Sequence, residues 1–89
     1  MKDDTIFVGK KPIMNYVLAT ISLFNEGHKK ITIKARGKAI SQAVDVAEIV
    51  KNRFLEGIEI EKIVIGSEEL PKREGGTTNI STIEITLKR

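Results

Sequence analysis

The residues with the plainest chemical meaning are Gly9, Lys10, Lys11 and Pro12, four in a row ahead of an amphipathic segment. A glycine turn, two flexible ammonium groups and the free N–H groups of a helix start suit a phosphate. Lysine is otherwise badly placed there. A helix start carries a partial positive charge, and a cation beside it costs roughly 0.3–1 kcal/mol. A negative partner for the pair is therefore expected. The bland alternative is two solvated loop lysines, the ordinary fate of that side chain. The stretch is not a Walker P-loop, because the flanking glycines and the Gly-Lys-Ser/Thr ending are missing.

A second cluster, Lys34, Arg36 and Lys38, surrounds Gly37. A third, Lys72 and Arg73, sits in a stretch suited to following a phosphate backbone or entering a minor groove. Glu68, Glu69 and Glu74 surround that third pair and offset part of its attraction for phosphate. Asn15 and Tyr16 follow the lysine pair and could hydrogen-bond phosphate or sugar, although Tyr16 suits a half-buried core position equally well. The net charge is only +3, but seven bases face one acid between Lys10 and Lys38, while Asp45 to Glu69 holds seven acids and three bases. A basic surface on one side of the fold is expected if the first group converges.

Groups for catalysis are scarce. With no cysteine and one histidine, the chain has neither a disulfide framework nor a thiolate or zinc site. His28 stands beside Lys29 and Lys30 with no obvious Ser or Asp partner, and the carboxylates of residues 56–62 and 67–70 read as solvent-facing charge rather than an acid and base pair. No enzyme activity, metal or cofactor is expected. The N-terminal stretch lacks a long apolar region and no apolar run is long enough to span a bilayer, so a soluble intracellular protein without a membrane partner is expected.

These groups need elements to hold them. Residues 5–8 form an apolar, β-branched run ending at Gly9, a first strand and turn. Pro12 fits the first turn of a helix whose stripe of Met14, Val17, Leu18, Ile21 and Phe24 ends at Gly27, a C′ residue. Ile31, Ile33 and Ala35 alternate with Thr32, Lys34 and Arg36, so the second strand buries the first set and presents the second. Residues 40–55 have helical periodicity through Ile40, Val44, Ala47, Val50 and Phe54, with more apolar surface than one face requires. The third strand changes phase at Glu61 and Lys62, implying a bulge, and Ile83, Ile85 and Leu87 mark a clean last strand. Between them residues 67–79 read as a projecting hairpin arm.

The expectation is a single domain over residues 1–89, an α/β two-layer sandwich of order strand, helix, strand, helix, strand, strand. Two helices cover one face of a four-stranded mixed sheet with a long hairpin arm. In that topology the first two basic clusters fall on one sheet edge. At this size only about 60% of the unfolded surface is buried, so a partner subunit would add stability.

Three stretches, VGKKPIMNYVLA, IKARGKAISQAVDVAEIVKNRFL and STIEITLKR, strongly resemble the Alba family of archaeal chromatin proteins. The resemblance covers nearly the whole chain and its strand and helix order agrees. It implies a homodimer that coats and compacts double-stranded DNA without sequence preference, often binds RNA as well, and stays on the chromosome in the cytoplasm. Matched by motif, Lys10 and Lys11 become the site of reversible acetylation, with a lysine deacetylase as partner. Arg36 and Lys38 join the backbone-contacting surface together with Asn15 and Tyr16, and Lys72 and Arg73 reach toward the minor groove. Phe54 matches a phenylalanine through which dimers associate side by side along DNA. Alternatives are an RNA-binding subunit of a ribonucleoprotein complex and, in another class, a small enzyme or module for a phosphorylated metabolite.

Overall fold

The computed structural model describes residues 4–89. Thr5–Phe7 (β1), Ile13–Asn25 (α1), Lys30–Arg36 (β2), Ile40–Ile49 (α2), Glu59–Pro71 (β3) and Thr77–Lys88 (β4) follow one another in the expected order. The sheet order is β1-β2-β4-β3, with β1 parallel to β2 and the other two pairings antiparallel. Both helices pack on one face, α1 against β1 and β2 and α2 against β2 and β4. The core beneath them holds Ile31, Ile33 and Ala35 of β2 opposite Leu87, Ile85 and Ile83 of β4. Strand alternation then sends Lys34, Arg36, Thr82 and Glu84 to the open face.

The stripe expected on α1 is corrected by the structure. Val17, Thr20 and Phe24 are buried, while Met14 and Leu18 are exposed. The inward direction runs through a threonine, tolerated because its hydroxyl donates to the Tyr16 carbonyl at 2.8 Å. Leu18 then lies about 100° around the helix from Val17 and cannot share its face. Pro12 stands just outside the helix as its N-cap, not within the first turn. At the other end Gly27 has φ +106°, His28 N–H donates to the Leu23 carbonyl and Gly27 N–H to that of Phe24, the Schellman arrangement.

The second helix differs from expectation in the same way. α2 ends at Ile49 and passes into one wide turn, Val50–Phe54, in which Leu55 N–H reaches back five residues to the Val50 carbonyl. Ala43, Val46, Ala47 and Val50 form the buried stripe, while Val44 and Phe54 are exposed. Small residues on the inward side let the helix lie close to the sheet, and the wide turn rotates Phe54 out of helical phase with the core. The surplus apolar surface of this helix is therefore real, and it includes Val44 together with Phe54.

The phase change in β3 is a bulge. Ile60 pairs with Leu87 and Lys62 with Thr86, leaving Glu61 without a partner residue. The arm is more regular than its composition suggests, because paired strands run out to Pro71 and Thr77 and only residues 72–76 form the turn. It gives the molecule extents of 47 × 23 × 22 Å. Pro71 is tolerated because β3 is an edge strand.

Candidate nucleic-acid interface

Because β1 and β2 are parallel neighbours, the chain leaves both at the same end of the sheet, and the loops that follow meet there. Val8 N–H donates to the Lys34 carbonyl at 2.9 Å, carrying the β1 and β2 pairing up to the lysine loop. Lys10, Arg36 and Lys38 line one open cleft with Gly9, Ala39 and Gln42. The two basic clusters thus converge as their order in the chain implied.

The backbone of the lysine loop is held from both helices. The Tyr16 hydroxyl oxygen on α1 accepts hydrogen bonds from Gly9 N–H and Lys11 N–H, each at 3.0 Å. Gln42 on α2 donates from Nε2 to the Gly9 carbonyl at 2.7 Å. The loop is fixed while the side chains of Lys10 and Lys11 stay exposed, which lowers the ordering cost of meeting an anion. Tyr16 is half-buried, so its ring serves the core edge, and its hydroxyl proton is left for an acceptor outside the loop. Asn15 is exposed in the first turn of α1. That turn has no acidic residue and no side-chain cap, so its positive end faces the lysines unneutralised.

The bases of this end fall into two groups. Arg36 Nη1 lies 2.9 Å from Glu68 Oε1, and Lys34 Nζ lies 3.7 Å from Glu84 Oε2. Lys10, Lys11 and Lys38 make no ion pair among the described residues. Gly37 takes the chain from Arg36 to Lys38 with φ +60°, and a Cβ there would come within 2.8 Å of Ile80 Cδ1 at the base of the arm. The turn that sets those two bases apart therefore favours glycine for its backbone, and a Cβ there would also oblige the end of the Ile80 side chain to move.

Lys72 and Arg73 are not part of the cleft. β4 pairs with the end of β2 at Thr82 and begins at Thr77, so the arm runs past the loop end by up to about 17 Å before its turn. The arm projects from the same end of the sheet as the two basic loops, which gathers all three clusters at one end of the molecule. Phe54 is remote, since α2 starts beside the cleft and Phe54 follows it at the far end. His28, at the far end of α1, has Glu26 4.0 Å away. Among the described residues no group of His, Asp or Glu is placed to hold a metal ion, and no helix is long and apolar enough to cross a membrane.

Sequence reasoning missed Gln42 and the ionic role of Glu68. Gln42 reads as an ordinary polar position on a helix, and only the approach of α2 to the loop gives its amide a partner. Glu68 was visible as a carboxylate near Lys72 and Arg73, but its pairing with Arg36 depends on the β3 and β4 register.

A family model described as Alba matches residues 4–67, a span that contains both converging loops. The chain belongs to the Alba family. It is 59% identical over 99% of its length, and 92% of the relative's, to a DNA/RNA-binding protein Alba of Methanocella arvoryzae. It is 52% identical over 100% of its length, and 99% of the relative's, to the DNA/RNA-binding protein Alba 1 of Archaeoglobus fulgidus. Among solved structures, Alba from Thermoplasma volcanium superposes with a TM-score of 0.90 at 54% identity, covering 96% of this chain and 99% of that one. The Alba fold accounts for the order of elements and the mixed sheet. The arm tip lies beyond the span that the family model matches.

Proposed function

We propose that this chain is a nucleic-acid-binding protein, not an enzyme, that coats and compacts double-stranded DNA without sequence preference. The observation that carries the reading is the convergence of Lys10, Arg36 and Lys38 around one cleft, beside a lysine loop fixed from both helices. Such a surface offers positive charge and backbone N–H groups to phosphates but has no ordered set of groups to read base edges. Lys11, Asn15 and Tyr16 extend it along the start of α1, and Lys72 and Arg73 would follow the duplex beyond the cleft. The naming of relatives as DNA/RNA-binding proteins supports the same ligand class, and RNA is a second ligand of the same surface.

The working form is a homodimer. Ile63 and Ile65 lie on the helix-covered face of edge strand β3, opposite Ile85 and Ile83, yet are 54% and 78% exposed because neither helix reaches over them. A second copy would continue the core across that edge. Phe54, 47% exposed, suits side-by-side association of dimers along DNA. Acetylation of Lys10 or Lys11 would remove a charge that meets phosphate while leaving the loop backbone in place, which makes a lysine deacetylase a regulatory partner. The protein works on the chromosome in the cytoplasm.

The test is anisotropy of a labelled random-sequence DNA duplex across a range of salt, with RNA duplex as competitor. If a dimer neutralises about six phosphates, the log–log salt slope is near −5, and Lys10→Ala with Lys11→Ala flattens it by roughly 0.9 for each phosphate no longer neutralised. An unchanged slope removes these lysines from the interface. The second reading, an RNA-binding subunit of a ribonucleoprotein complex, is supported by the relatives' dual naming and takes precedence if RNA wins the competition.

A further inference from the structure

Arg36 stands on the ridge between two concavities. On one side it lines the cleft with Lys10 and Lys38, and on the other it lines an open-face groove with Lys34, Glu68 and Glu84. Its guanidinium is turned toward the second, where Nη1 donates to Glu68 Oε1 at 2.9 Å. Glu68 belongs to the base of the arm and faces Ile80 across the ladder, two residues from Thr82, which faces Arg36 itself. The carboxylate is therefore held beside Arg36 by strand register and not by chance encounter. Lys34 has the same relation to Glu84 on the same face.

We infer that Glu68 is an internal competitor for the phosphate-binding guanidinium of Arg36, and so an affinity-setting residue of the interface. This rests on the nucleic-acid reading above. A carboxylate and a phosphate oxygen use the same N–H donors of the guanidinium, so Arg36 gives up at least part of its bond to Glu68 when it turns to a phosphate beside Lys10 and Lys38. Both partners are about half exposed, at 58% and 51%, so the pair is weak enough for a polyanion to open. Glu68 and Glu84 also pair with two bases of the open face, Arg36 and Lys34, whereas Lys10, Lys11 and Lys38 at the loop end make no ion pair among the described residues, which favours the polymer at the loop end. Opening the Arg36 pair releases one tie between the arm and β2, so phosphate binding and the set of the arm are linked.

The experiment compares Glu68→Gln with Glu69→Gln in the full chain by anisotropy on labelled duplex DNA. Both variants remove one negative charge, but Glu69 points to the other face of β3 and pairs in register with Asn79. Glu68→Gln should tighten binding roughly two- to fivefold at low salt, the range for opening one exposed ion pair. Glu69→Gln should give a smaller gain. In an Arg36→Gln background the gain from Glu68→Gln should shrink to that of Glu69→Gln, because only the effect of net charge remains. Equal gains from the two glutamates, or a full gain from Glu68→Gln that persists without Arg36, would overturn the inference and leave only net charge. No gain from Glu68→Gln, in a protein that binds DNA, would overturn it alone. Failure of the unaltered chain to bind any duplex would overturn both the inference and the reading beneath it. The Arg36 Nε resonance, followed by NMR in the free protein, should move on Glu68→Gln and not on Glu69→Gln.

Discussion

At Tyr16 one phenolic oxygen accepts the N–H groups of Gly9 and Lys11 and so does for the loop what a side-chain cap does for a helix. Removing it separates geometry from charge. Tyr16→Phe leaves two donors to find water, at about 1 kcal/mol each for a partly exposed hydrogen bond. The unfolding free energy should fall by about 1–2 kcal/mol in a denaturant titration. Affinity for duplex DNA should fall severalfold while the salt slope stays as it was, because no charge is removed. This is the opposite signature to that of the paired lysine substitutions, which flatten the slope and leave stability nearly untouched. A Tyr16→Phe variant with a flattened slope would mean that the hydroxyl's hold on the loop sets which lysines reach phosphate.

At the scale of elements, the turn from β2 into α2 is the tightest point of the site. Gly37 and Gly76 both have positive φ, +60° and +76°, but a Cβ at Gly76 would meet nothing within 4 Å. Alanine at either position incurs the left-handed backbone penalty of about 1–2 kcal/mol. At Gly37 it also presses on Ile80, whose side chain must yield. Thermal or chemical unfolding should therefore show Gly37→Ala as more costly than Gly76→Ala, by up to about 1 kcal/mol beyond the shared backbone term. Gly37→Ala should in addition weaken DNA binding, since it shifts Arg36 and Lys38 on either side of the turn. Equal costs at the two glycines would show that Ile80 moves aside freely.

For the molecule as a whole, the helices cover β2 and β4 but leave the apolar row of β3 bare. A carboxylate on that row tests the dimer without disturbing the protomer. Ile65→Glu should raise the dimer dissociation constant by about tenfold or more, a change of at least ~1.4 kcal/mol, read by sedimentation equilibrium. The residue is solvent-facing in the single chain, so secondary structure should be retained. A variant that sediments as the unaltered chain does would place the dimer interface elsewhere.

Much of this protein was legible in its residues because local physics acts over a few positions. Alternation in β2 separated core from charge, Gly27 marked the end of α1, and the parity change in β3 announced the bulge at Glu61. The basic clusters could be assigned to one sheet edge because parallel neighbouring strands end on the same side. What the residues alone left undecided was which side of each helix faces inward. Thr20 and Ala43 are buried, while Met14, Leu18 and Val44 are exposed, because close approach to a sheet favours small or internally bonded side chains at those positions. The tie of Gln42 to the Gly9 carbonyl and the capture of Arg36 by Glu68 belong to tertiary structure alone. Each joins residues more than thirty positions apart, and no short-range pattern carries the register or packing that brings them together.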